Sequence, residues 1–209
     1  MLIRYKGGQF EEMNSEGLLQ FLGVKQEGQA VKVSSDIELI APAPFALADG
    51  EGGGGVPWVF STFDMDRMSE RIDPAGWDFL CYLKNPVIQW AHCFDIPAIG
   101  RAENIIADDK GLRGSIIFNG KEFDPFGWSI GERVKAGVIR AGSVGFRPIE
   151  IEIPSKKDSE DGTSLIFRKQ ELLEFSVCNV PANPYALAKT ADINNRKSSP
   201  DFWGGFIGA

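Results

Sequence analysis

Between Val56 and Val180 the chain is a succession of apolar, β-branched and aromatic stretches, most of them cut off by Gly, Pro, Asn or Asp before they reach ordinary helix length. Such dense punctuation leaves one main way to bury apolar surface, a sheet folded over itself. Strands are expected over Val56 to Thr62, Val87 to Ala91, Ile99 to Ile106, Leu112 to Phe118, Val138 to Ile151 and Leu165 to Val180. Helical spacing interrupts this pattern twice. Asp73-Pro74 is a cap and first-turn signal ahead of Trp77, Leu80 and Leu83, and Asn85-Pro86 stops that turn. Phe126, Ile130 and Val134 mark an amphipathic helix closed by Gly137. The expected fold class is mainly β, a barrel or sandwich with helices packed outside.

Three boundaries follow from texture. Residues 1–55 read as a poorly ordered N-terminal extension, with a helical patch around Leu18 to Leu22 and a strand-like Ile37 to Ile40. The run Gly52 to Gly55 reads as a hinge, because no strand–Gly–Lys–Ser/Thr–helix context makes it a phosphate cradle. Residues 56–188 form the main domain, in which Pro154 to Thr163 is an exposed insertion between two strands. Residues 189–209 read as a flexible tail ending in the apolar cluster Phe202, Trp203 and Phe206.

Composition narrows the function. With 209 residues, 43% of them hydrophobic, the chain can bury one substantial core. A net charge of −7 supplies no footprint for phosphate neutralisation, so direct nucleic-acid binding is not expected. No apolar run is long enough to span a bilayer and no leader-like segment opens the sequence, so neither a membrane nor export is expected. Three cysteines, Cys81, Cys93 and Cys178, without CxxC spacing, suit a reducing cytoplasm and argue against a disulfide framework or a zinc knuckle.

His92 is the chain's single histidine, which nearly excludes a zinc site built on imidazoles. By itself such a histidine is more often structural than catalytic. Ser143 stands in Ala141-Gly142-Ser143-Val144-Gly145-Phe146, where glycines permit close approach by another backbone or a substrate. The segment is not a hydrolase elbow, since Ala141 replaces the first glycine and no histidine follows the serine. A serine nucleophile still needs a base and a group to hold that base, and His92 is the one imidazole on offer. In Glu171-Leu172-Leu173-Glu174-Phe175-Ser176-Val177-Cys178, alternation puts Glu174, Ser176 and Cys178 on one face and Leu173, Phe175 and Val177 on the other. A carboxylate buried there needs a partner such as an imidazole N–H, whereas on a solvent-facing edge strand it needs none. Glu171, three positions from Glu174, is expected on the opposite face.

Lys84-Asn85-Pro86-Val87-Ile88-Gln89-Trp90-Ala91-His92, following Asp73-Pro74 and followed by Ile99-Gly100-Arg101-Ala102, resembles the histidine region of caudoviral (tailed-phage) prohead proteases. Gly142-Ser143-Val144-Gly145-Phe146 is similar to their serine motif. Leu173 to Val177 with Val180-Pro181-Ala182-Asn183-Pro184 resembles their C-terminal signature, and the resemblance spans about Val56 to Ala188. It implies a fold related to herpesvirus assemblins, a small closed β-barrel surrounded by helices, whose triad is a serine with two histidines. Carried over, the roles make Ser143 the nucleophile and His92 the base. The second histidine has no counterpart here, and Glu174 is the choice for its place, with Glu171 as a register alternative and Ser176 as a buried hydroxyl paired to backbone.

The resemblance further implies a serine endopeptidase that needs no metal or organic cofactor. Its substrates would be the scaffold segment of the major capsid protein, or a separate scaffold, and the protease itself. It would work in the bacterial host cytoplasm, inside the procapsid, with self-association into a homo-oligomer left open. Two rivals stand beside this reading. One makes Cys93 or Cys178 the nucleophile, Cys93 being disfavoured because strand neighbours point to opposite faces. The other is a non-catalytic scaffold or structural module in which His92 and Glu174 are merely a buried pair.

Overall fold

The computed structural model describes residues 2–4, 10–25, 27–28, 30–33, 38–43, 55–155 and 159–179. The first 43 residues supply β1 (Leu2–Arg4), β2 (Phe10–Glu12), helix α1 (Ser15–Leu22), β3 (Ala30–Lys32) and β4 (Glu38–Ala43). Then follow β5 (Val56–Ser61), β6 (Glu70–Ile72), β7 (Trp77–Asp78), β8 (Val87–Trp90), β9 (Gly100–Asp108) and β10 (Gly111–Phe118). Helix α2 (Pro125–Lys135), β11 (Ala141–Glu152) and β12 (Leu165–Cys178) complete the described elements. Nine strands lie in the order β2-β1-β4-β11-β12-β8-β9-β10-β5, with β3 attached to β11, and β6 and β7 to β12.

The expected closed barrel is not what forms. Closure requires the two end strands to exchange ladder hydrogen bonds, and β2 and β5 do not pair among the described residues. The sheet is mainly β and open. It curls so that β5 packs on β12 through side chains: the Phe60 ring stacks on Phe175 at 4.3 Å between centroids, and Trp58 meets the same ring edge-on at 5.7 Å. All three are fully buried, and Phe146 extends the cluster by edge contacts with Trp77 and Phe167. The β5 end of the sheet is thus folded back onto its central strand by apolar packing, which is non-directional and requires no strand register.

β12 is the hub. It runs antiparallel to β11 over most of its length and parallel to β6, β7 and β8 in succession on its other edge. The segment expected as one helix over Trp77, Leu80 and Leu83 is two short 3₁₀ turns, Pro74–Gly76 and Tyr82–Lys84, flanking β7. Asp73 does cap the first turn, accepting a hydrogen bond from Ala75 N, but Trp77 and Asp78 then pair with Gln170 and Glu171. Leu80 and Leu83 are left exposed, so their helical spacing marks no buried face.

The second helix follows its signals. Asp124 accepts from Gly127 N, Pro125 occupies the first turn, Ile130 and Val134 are buried, and Gly137 takes a left-handed φ of 72° beyond the end. Phe126 stays partly exposed and meets the edge of Trp90 instead of the core. At the other end of the chain order, α1 is capped by Asn14 and closed by Gly23, and it buries Leu18. The hinge expected at Gly52 to Gly55 falls outside the described residues except for Gly55, and the tail 189–209 lies wholly outside them.

Candidate active site

The register of β11 against β12 assembles the site. Ala141, Gly142, Ser143, Val144 and Gly145 pair with Cys178, Val177, Ser176, Phe175 and Glu174 respectively. Residues directly opposite share a face, so Ser143, Gly145, Glu174 and Ser176 line one side while Val144 and Phe175 enter the core on the other. Ser143, Glu174 and Ser176 are all buried. Gln89 pairs with Ser176 from β8, which makes a polar row of Ser143, Ser176 and Gln89 across three adjacent strands.

The two glycines around Ser143 make room for β12 side chains. A Cβ at Gly142 would sit 2.2 Å from Cζ of Phe175, and one at Gly145 would sit 2.4 Å from Oε1 of Glu174. One glycine seats the core ring and the other seats the carboxylate.

His92 arrives by a turn that no strand pattern announces. β8 ends at Trp90, and Ala91 and His92 both take left-handed backbone, φ 50° and 56°. Cys93 N donates to Trp90 O at 2.9 Å and closes the turn, while Ala91 N donates to Val177 O. Left-handed conformations at non-glycine residues cost about 1–2 kcal/mol each, and such strain is retained at sites where surrounding contacts impose it. One of those contacts is the His92 backbone N–H, which donates to Ser176 Oγ at 3.0 Å.

The side chains then close a ring of bonds. His92 Nδ1 lies 2.6 Å from Glu174 Oε1, and Ser176 Oγ donates to Glu174 Oε2 at 2.8 Å. Because a carboxylate accepts, Nδ1 carries a proton, and in the neutral imidazole Nε2 is then the acceptor nitrogen. The structure therefore joins Glu174 to His92 directly and puts Ser143 on the neighbouring strand, on the same face, opposite the serine that contacts both. The glutamate is not a solvent-facing edge residue.

Glu171 is where alternation misleads. The register shifts between Gly145 and Phe146, so that Glu174 faces Gly145 while Leu172 faces Phe146 and Glu171 faces Arg147. This bulge adds one β12 residue at Leu173 and returns Glu171 to the same face as Glu174. Its carboxylate pairs with Arg147 near the surface.

Cys178 is not built like a nucleophile. Burial, and secondarily the Glu174 charge, push the Cys178 thiol up to about 11. His92 lies on a turn, so the expectation that Cys93 points away because both sit on a strand loses its premise; Cys93 is half-buried at the end of that turn. Burial also raises the Tyr82 hydroxyl well above its usual range, helped by Glu174, and it donates to Val87 O at 2.7 Å. Among the described residues no group of three or more His, Cys, Asp or Glu side chains is placed to hold a metal ion, and no helix is long and apolar enough to cross a membrane.

Sequence reasoning expected Ser176 to be a buried hydroxyl paired to backbone, which it is, but did not find its second bond to Glu174. The available signal was two polar residues, Glu174 and Ser176, at alternate positions of a strand apolar on both flanks. A family model described as caudovirus prohead serine protease matches residues 59–199. No curated protein and no solved structure gives a match.

Proposed function

The chain belongs to the caudovirus prohead serine protease family and is a serine peptidase of phage capsid maturation, and from that premise we propose that Ser143, His92 and Glu174 form its catalytic triad. The observation that carries this reading is the 2.6 Å bond between the only histidine and a buried carboxylate, on the strand that faces Ser143. His92 Nε2 takes the Ser143 proton as the hydroxyl attacks a peptide carbonyl to give a tetrahedral intermediate, then returns that proton to the leaving amine as the C–N bond breaks and the acyl-enzyme forms. Glu174 holds the productive tautomer through Nδ1 and stabilises the imidazolium that develops. Water, activated by the same imidazole, releases the acyl group.

The substrates we assign are the scaffold segment of the major capsid protein, or a separate scaffold protein, and the protease itself, within the procapsid in the host cytoplasm. Co-expression with the capsid precursor, read by intact mass, tests the nucleophile. Ser143→Ala is expected to abolish processing, while Cys93→Ala and Cys178→Ala retain it. Full processing by the Ser143→Ala protein would sink the serine assignment, and loss confined to a cysteine variant would transfer the role to that thiol. Self-cleavage predicts that concentrated active protein is trimmed with time and the Ser143→Ala protein is not; equal trimming of both indicates a contaminating protease.

A further inference from the structure

We propose that Ser176 is a positioning residue for this reaction, a clamp that fixes the base and the carboxylate with one hydroxyl; the inference rests on the triad assigned above. Its geometry has two halves. The Ser176 proton goes to Glu174 Oε2 at 2.8 Å, and its lone pair accepts the His92 backbone N–H at 3.0 Å. A hydroxyl has one proton to give and lone pairs to accept with, so both contacts are made at once.

Each half controls a different degree of freedom. Glu174 Oε1 is taken by His92 Nδ1. A carboxylate held by one oxygen swings about its terminal torsion, which is broad and roughly two-fold. The bond from Ser176 to the second oxygen sets the plane in which Oε1 meets the imidazole. The other half acts on the backbone. Ala91 and His92 are consecutive left-handed residues and neither is glycine, so the turn is not held by intrinsic preference. Ala91 N is tied to Val177 O, the residue after Ser176, and His92 N to Ser176 itself. The turn that aims the imidazole is thereby pinned to the strand that carries the carboxylate.

Position explains why this residue is polar although it is fully buried. Ser176 lies directly opposite Ser143 on β11 and beside Gln89 on β8, in the middle of the polar row that begins at Ser143. An apolar residue there would strand both the His92 N–H and one Glu174 oxygen without partners in a buried setting. A purely packing role would accept alanine, and a purely structural hydrogen bond would not involve the group that orients the base.

The test uses the full-length protein and a fluorophosphonate probe, whose phosphorus forms a bond to an activated serine oxygen with loss of fluoride and whose labelling requires no knowledge of the natural substrate. Labelling at Ser143 is expected to slow at least ten-fold in Ser176→Ala, with its pH profile displaced from that of the parent. Ser176→Thr, which keeps the hydroxyl, is expected to label within a few-fold of the parent. Wild-type rate and pH profile in Ser176→Ala would overturn the clamp, as would a folded Ser176→Thr protein as slow as the alanine variant. Labelling that persists in Ser143→Ala would instead overturn the triad, independently of Ser176. Should Ser176→Ala not fold, the parent still decides. With histidine-selective isotope labelling, the one His92 amide is expected to exchange slowly with solvent deuterium, and exchange at the rate of an unprotected turn amide would overturn the clamp.

Discussion

Gly142 directly precedes Ser143 and Gly145 follows it by two residues, so a methyl group added at each meets a different kind of neighbour. At Gly142 it meets the ring of Phe175, fully buried against Trp58 and Phe60, which cannot retreat. Overpacking of that sort costs about 1–3 kcal/mol, so Gly142→Ala should melt several degrees lower than the parent. At Gly145 it meets Glu174 Oε1, the oxygen bonded to the imidazole. The carboxylate has to leave its seat, and displacements of about 1 Å at a catalytic group cost roughly 10²-fold in rate. Gly145→Ala should therefore lose activity out of proportion to its change in melting temperature. A Gly145→Ala protein as active as the parent would contradict the seating of Glu174. The same seat predicts that Glu174→Gln folds normally but cleaves a capsid-derived peptide slower by on the order of 10⁴, the loss seen when a triad carboxylate becomes an amide. Glu171→Gln, whose carboxylate pairs with Arg147, should stay within a few-fold. Equal rates for the two variants would remove Glu174 from the triad.

Elements show why one of those glutamates was legible and the other was not. Polar and apolar residues alternate from Glu174 to Cys178, and the face they define is the face observed. Immediately before Glu174 the bulge at Leu173 breaks the period, because β12 contributes one more residue than β11 between Glu174 and Leu172. Nothing in Leu-Leu-Glu marks the extra residue. Capping, by contrast, is written in side-chain chemistry. Asp124 accepts from Gly127 N and from Asn119 Nδ2, and these bonds hold its carboxyl below the usual range. Asp124→Ala should cost about 1 kcal/mol of stability, visible as a lower denaturant midpoint with an unchanged slope. No change in midpoint would mean that α2 is held by Ile130 and Val134 alone.

Among the described residues, a buried acid without a hydrogen-bond partner lies far along β12 from Glu174. Glu70, on β6, is 2% exposed, and neither carboxyl oxygen has a hydrogen-bond partner among the described residues. Ser15 at the start of α1 lies near it but spends its bonds on Met68 O and Ser164. Burial first, and the Asp66 charge second, push Glu70 up to about 8, and burial raises Asp66 as well. A carboxyl whose pKa is higher folded than unfolded binds its proton more tightly in the native state. Its protonated form stabilises the fold below the unfolded value, and that contribution is lost as pH rises through the folded value, at up to about 1.4 kcal/mol per pH unit. The melting temperature should fall from about pH 5 to pH 8, and Glu70→Gln should flatten that fall. An identical pH slope in the variant would show that Glu70 is not the group responsible.

What the amino-acid sequence determined by itself is local or compositional: the strand-rich texture, the caps of α2, the single imidazole, and the placing of Glu174 and Ser176 on one face of a strand. These depend on neighbours along the chain, where period and side-chain chemistry act directly. Tertiary structure decided the rest. It set Ser143 opposite Ser176, brought His92 to Glu174 across 82 residues of sequence, bent Ala91 and His92 into left-handed backbone, and turned Glu171 back to the face of Glu174. It also left the sheet open, since apolar contacts of β5 on Phe175 cover the core without hydrogen bonds between the end strands. Register, bulges and closure are properties of strand pairs distant in sequence, and a one-residue slip reassigns every side chain to the other face.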